Sequence, residues 1–231
     1  MMKAGTAMGD DRETESHDRP VRADARRNID ALLRAARKVF DTSGVDAPVK
    51  EIADRAGVGV GTLYRHFPQR PDLIKAIIRK EVDACADAAS LLAANHSPAE
   101  ALALWMQRLV ELVATKRGLA AALHSGNPAY QSLPDHVLGR LTPALQRLLD
   151  AAAAAGAIRT DVDAAELLLA GMRVAAPASD GDIAQARRMV ALMVDGLRFG
   201  AGAPTGRRAD IAAVRRSRRR PGVPRIKQPR R

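Results

Sequence analysis

Groups that can hold anions or base edges crowd one short stretch: Thr62, Tyr64, Arg65 and His66 fall close together, with Lys50 upstream and Arg70 downstream. Hydroxyls, an imidazole, guanidinium groups and an ammonium group are hydrogen-bond donors, suited to binding a polyanion rather than to breaking bonds. No Ser-His-Asp, Cys-His or paired-carboxylate spacing accompanies them, and the scattered His17, His66, His96, His124 and His136 make no metal site. A single cysteine, Cys85, permits neither an intrachain disulfide nor a thiolate cluster. No enzyme activity, cofactor or metal is therefore expected. The adjoining Gly57-Val58-Gly59-Val60-Gly61 run has the glycines of a phosphate-cradling loop without its context, because no strand pattern precedes it and no Gly-Lys-Ser/Thr follows. It reads as a turn.

The elements that would position these groups are two short helices. Ile52, Ala53 and Ala56 make one narrow apolar stripe, and Gly57 then sits where a left-handed residue ends a helix. Val58 is a single apolar plug and Gly59 opens the next helix. There Leu63 and Phe67, four apart, form the buried side, leaving Thr62, Tyr64, Arg65 and His66 outward, and Pro68 closes the unit. Two helices joined by a short glycine turn make a helix-turn-helix, whose second helix enters the major groove of DNA. Arg65 and Lys50 are the residues best suited to hydrogen-bond base edges.

From Lys50 to Leu73 the string resembles the N-terminal signature of TetR-type regulators. The shared residues are the Ile52-Ala53 pair, Ala56-Gly57-Val58 at the turn, Thr62-Leu63-Tyr64-Arg65-His66-Phe67 in the recognition helix, and Arg70 with Leu73 downstream. Gly59 stands where that family often has a Ser N-cap, which weakens the helix start by only a few tenths of a kcal/mol, and Val60 stands where a polar or basic residue is common. The resemblance implies that Thr62, Tyr64 and His66 bind backbone phosphates and that Val60 and Gly61 face the bases, with Gly59 at the helix start also among the DNA-binding residues. It also implies a repressor released from its operator by a small-molecule effector held among the middle helices. Candidate pocket residues are Trp105, Met106, Leu109, His124, Tyr130 and Leu145.

The rest of the chain carries helical apolar spacing and no alternating strand pattern, so the expected fold is all-α: a three-helix head and a helical body. A first helix is expected over 24–42, a long connecting helix from Arg70, and a helix opened by the capping box Ser97-Pro98-Ala99-Glu100. Further helices are expected from Pro134, from an Asp161 or Asp163 cap, and from an Asp180 or Asp182 cap. The expected division is a disordered polar segment 1–20, a DNA-binding domain 21–69, a ligand-binding and dimerisation domain 70–202, and a disordered basic tail 203–231. Because the last helix is apolar almost all round, a homodimer is expected through 164–176 and 183–199, with Leu168, Met172, Met189, Met193 and Leu197 at the seam.

Charge follows the same division. Of a net charge of +11, most sits in 207–231, which carries 11 basic residues and one acidic, whereas the body is mildly acidic. No apolar run is long enough to span a membrane and the N-terminus has no signal-peptide core, so a cytoplasmic setting is expected. The rival reading is a non-specific binder of nucleic acid or anionic surfaces driven by the tail. Deleting 207–231 is expected to flatten the slope of log K against log salt and to weaken specific and random DNA by similar factors. Titrations across a salt series check this; lost discrimination would place specificity in the tail.

Overall fold

The computed structural model describes residues 14–115, 119–123, 125–176 and 183–198, which form helices joined by turns and short irregular links, with no strand among them. The expected caps Asp180 and Asp182, His124 and the basic tail lie outside the described residues. No helix is long and apolar enough to cross a membrane among those described.

The head comprises α1 (Thr14–Ser43), α2 (Val49–Ala56) and α3 (Val60–His66). The buried stripe of α1 is Leu32, Leu33, Ala36, Val39 and Phe40, which closes over Ile52, Ala53 and Leu63 from the two motif helices. Gly44, at φ 78°, ends α1 and its amide donates to the Phe40 carbonyl. The helix starts ten residues ahead of position 24 and so runs into the segment expected to be disordered. The expected start at position 24 rests on apolar periodicity, which does not begin before Ile29.

A 26-residue helix, α4 (Arg70–Asn95), begins in the head and runs through the body. At 1.5 Å per residue it spans about 39 Å. Its buried residues, from Leu73 and Ile74 through Ile77, Ile78 and Val82 to Ala89, face α1 at one end and the body helices beyond. The body adds α5 (Pro98–Thr115), α6 (Ala120–Leu123), a single 3-10 turn (Pro128–Tyr130), α7 (Leu133–Ala154), α8 (Ala164–Ala175) and α9 (Ile183–Gly196). α4 packs chiefly on α7 and α5, and α5 in turn on α8 and α9.

Local chemistry explains the boundaries. At the start of α5 the Glu100 carboxylate accepts hydrogen bonds from the Ser97 hydroxyl at 2.7 Å and the Ser97 amide at 3.1 Å, the reciprocal half of the expected capping box. Those bonds, the hydroxyl first, hold the Glu100 carboxyl below its usual range. Asp163, not Asp161, caps α8 by accepting from the Glu166 amide at 2.9 Å. Asp161 instead takes both arms of Arg159, whose own amide donates to the Leu197 carbonyl and ties the end of α9 to the α7–α8 connection. Trp105 is fully buried and its Nε1 donates to the Cys85 carbonyl at 2.8 Å, fixing α5 against α4. Gly171 sits where α8 closes on α5: a Cβ there would lie 3.0 Å from the Met106 Cε.

The turn between α2 and α3 depends on Gly57, whose φ of 71° is left-handed. Gly57→Ala is expected to lower stability by about 1–2 kcal/mol, the cost of a side chain in that conformation. A urea melt checks this, and an unchanged midpoint would contradict it.

Candidate nucleic-acid interface and ligand cavity

Helix α3 is set by its ends and by two buried side chains. The Gly57 amide donates to the Asp54 carbonyl at 3.2 Å and the Val58 amide to the Ala53 carbonyl at 3.1 Å, a Schellman pair that ends α2. Val58 then packs on the core as the plug between the helices. Gly59 is the N-cap of α3; it offers no side-chain cap, but its carbonyl accepts from the Thr62 and Leu63 amides at 2.9 and 3.2 Å. Leu63 and Phe67 are buried, which fixes the rotation of the helix and directs its other side to solvent.

On that outer side Tyr64 is 49% exposed and Val60 36%, and Gly61 and Arg65 are also exposed. Arg65 has no ion pair among the described residues. Thr62 and His66 are half-buried, His66 leaning at 53° against the Phe67 ring with centroids 6.4 Å apart. Lys50, on α2, is exposed but bonded to Asp54 at 2.8 Å, and that bond raises its pKa. Both partners are well solvated, so the pair is weak.

Arg70, expected among the DNA-binding residues, is engaged within the protein. Its guanidinium is partly buried and donates to the carbonyls of Val45 and, at 2.8 Å, Ala47. It fastens the first turn of α4 to the loop between α1 and α2, so its guanidinium is engaged inside the head and does not stand with the exposed row of α3. Sequence spacing carries no signal for a bond across 25 residues.

The body holds an apolar cavity of about 320 Å³ between α4, α6, α7 and α8. Its lining includes Ile78, Tyr130, Val137, Leu138, Leu169 and Met172. Of the expected pocket residues only Tyr130 lines it. Trp105, Met106, Leu109 and Leu145 are fully buried core, and His124 lies outside the described residues. The lining leucines and Val137 were not anticipated, since an apolar cavity wall and a packed core have the same sequence pattern.

The expected dimer seam also divides. Leu168 and Leu197 are buried within the protomer, Met172 and Met193 are half-buried, and Met189 is 42% exposed. Met172 also lines the cavity. Leu192, at 62% exposure, is the prominent outward residue of α9. Apolar periodicity locates such a helix but not which of its faces its own protomer covers.

Known proteins match the chain in both parts. Residues 32–77 match the profile described as bacterial regulatory proteins, tetR family, and residues 97–199 that of the transcriptional regulator SbtR-like C-terminal domain. A TetR transcriptional regulator from Streptomyces coelicolor is 42% identical, with a TM-score of 0.63 and coverage of 74% of this chain and 98% of that one. The chain belongs to the TetR family. A TetR transcription regulatory protein from Mycobacterium vanbaalenii is 36% identical over 78% of this chain and 100% of that one, at a TM-score of 0.64. The chain is also 29% identical over 109 residues to an HTH-type transcriptional regulator of Staphylococcus aureus (strain USA300), covering 46% of this chain and 59% of that relative.

The protein is thus a TetR family DNA-binding transcriptional regulator, with α2 and α3 as its helix-turn-helix. Within it, Tyr64 and His66 are surface groups of the head to different degrees. Tyr64→Phe and His66→Ala are each expected to weaken DNA binding several-fold, with a larger loss of melting temperature for His66→Ala because its ring rests on Phe67. Gel-shift titration with parallel thermal melts checks this; lost cooperative melting in Tyr64→Phe would make Tyr64 core.

Proposed function

We propose that this TetR family regulator is a homodimeric repressor that reads a two-fold operator with α3 and is released by a small molecule bound in the body. The observation that carries the DNA half is the exposed row Val60, Gly61, Tyr64 and Arg65 on a helix whose rotation is fixed by buried Leu63. Thr62, Tyr64 and His66 take phosphates, Lys50 and Arg65 take base edges, and Val60 offers only apolar contact to a thymine methyl. One short recognition helix reads few base pairs, which favours two half-sites and a dimer.

The dimer half rests on the unpartnered side of α8 and α9, where Leu169, Val174, Met189 and Leu192 are exposed. Glu166 and Arg173 lie two turns apart on the outer side of α8, both exposed and neither in an ion pair among the described residues. In a two-fold pairing of α8 with its copy, each Glu166 can face the other copy's Arg173, as a self-complementary interface requires.

Leu192→Asp is expected to leave the melt unchanged and convert dimer to monomer, with loss of tight operator binding. Leu197→Asp, which buries an unpaired carboxylate inside the protomer, is expected to lower the melting temperature instead. Sedimentation velocity and thermal melts check both; an unchanged dimer in Leu192→Asp would move the interface elsewhere.

A further inference from the structure

The body delivers the end of α9 to the side farthest from the head. Helix α5 runs back along α4, since the Trp105 ring bonds to Cys85 while Glu111 and Leu112 share a hollow with Glu81. Helix α9 reverses α5 in turn: its Arg187 bonds to Gln107 and Glu111, whereas Val194 and Asp195 lie beside Ala103 and Leu104. Helix α7 runs with α4, from Ser132 at Arg79 to Arg140 at Asp87, so it too ends away from the head. Just past that end the Arg159 amide holds the Leu197 carbonyl. Two separate sets of contacts thus place Leu197 and Arg198 near the closing turns of α4, about 30 Å along that helix from Arg70 at 1.5 Å per residue.

From there the chain leads into 207–231, where 11 basic side chains stand against the single acid Asp210. Residues 200–231 contain no Phe, Tyr, Trp or Leu.

We propose that 207–231 holds a second DNA duplex at this end of the body, so that a protein seated on one duplex through α3 bridges it to another. This goes beyond the repressor reading and takes from it only the seat of α3 on DNA.

The partner class follows from composition. Closely spaced arginines suit the regular phosphate rows of a duplex, where each contact releases counterions whatever the sequence. Single strands are held largely by stacking on aromatic rings, and helices lying in a membrane surface carry Trp, Phe or Leu on their apolar side. The segment has no such residue.

Position decides which duplex is held. Arg215 to Arg220 lie 17 to 22 residues beyond Arg198, a covalent reach of at most about 60–75 Å. A duplex beside the far end of the body falls within that reach directly. The duplex under α3 lies back past the whole body and the head, and the head already neutralises part of its phosphate. A second duplex offers phosphates that no other part of the protein has used.

The test uses the full chain, beads carrying a duplex selected by the protein from a random pool, and a fluorescent random-sequence duplex in solution. With the beads saturated by labelled protein, the fluorescent duplex is expected to be captured. Capture per bound protein is expected to fall about a hundredfold or more between 50 and 200 mM salt, as five or more phosphate contacts require. Combining Arg215→Gln, Arg216→Gln, Arg218→Gln, Arg219→Gln and Arg220→Gln is expected to cut capture at least tenfold, with the same protein on the beads and an unchanged melt. Lysine at the same five positions is expected to keep capture within about threefold, because this attraction needs charge and no two-armed fork. No capture by the full chain, or capture that survives the glutamine variant, would overturn the proposal. Phosphatidylglycerol vesicles or single-stranded DNA that displace the fluorescent duplex more readily than unlabelled duplex does, at equal phosphate, would overturn the partner class. A pool that yields no selected sequence would overturn the reading of α3 alone, and beads carrying random duplex would still decide whether 207–231 bridges.

Discussion

The hold of Arg70 on the Val45 and Ala47 carbonyls is the contact on which the relation between the two halves of this protein depends. Those carbonyls sit in a loop between helices, where no helical partner satisfies them, and a guanidinium donates to two of them at once. Hydrogen bonds from charged donors contribute about 1.5–3 kcal/mol each. Because Arg70 is also the first residue of α4, any tilt of that helix acts directly on the loop ahead of α2. The head is therefore joined to the body by packing of α1 on α4, by this clasp and by the ion pair of Lys80 on α4 with Asp30 on α1.

Within the body the apolar surface is used in two ways. Trp105, Met106, Leu109 and Leu145 fill the interior completely, and the Trp105 bond to the Cys85 carbonyl fixes the register of α5 on α4. Around Tyr130, in contrast, packing is left incomplete and a cavity remains. Leu138 and Leu169 on its wall are 36% and 40% exposed, so this space opens to solvent instead of being sealed in the core. Both features draw on α4, the cavity wall through Ile78 and the clasp through Arg70.

Much of this architecture is legible in the sequence where chemistry is local. Gly57 ends α2 because the turn needs a left-handed residue, Ser97 and Glu100 open α5, and Leu63 with Phe67 fix which side of α3 is buried. What sequence does not carry is any choice made by distant partners. Arg70 reads as one more cation of the helix-turn-helix until the loop carbonyls are brought beside it. Leu197 and Leu192 belong to the same apolar helix, yet one is core and the other faces outward, because neighbouring helices rather than periodicity decide the covered side. For the same reason the cavity wall could not be told from core.

The central claim is that α3, presented twice, reads DNA sequence. The most direct measurement is selection of duplexes from a random-sequence pool by the full chain, followed by hydroxyl-radical footprinting of the enriched sequence. The expected result is a two-fold related sequence with protected half-sites about one helical turn, or a multiple of it, apart. A pool that stays random, or a single asymmetric footprint, would contradict it.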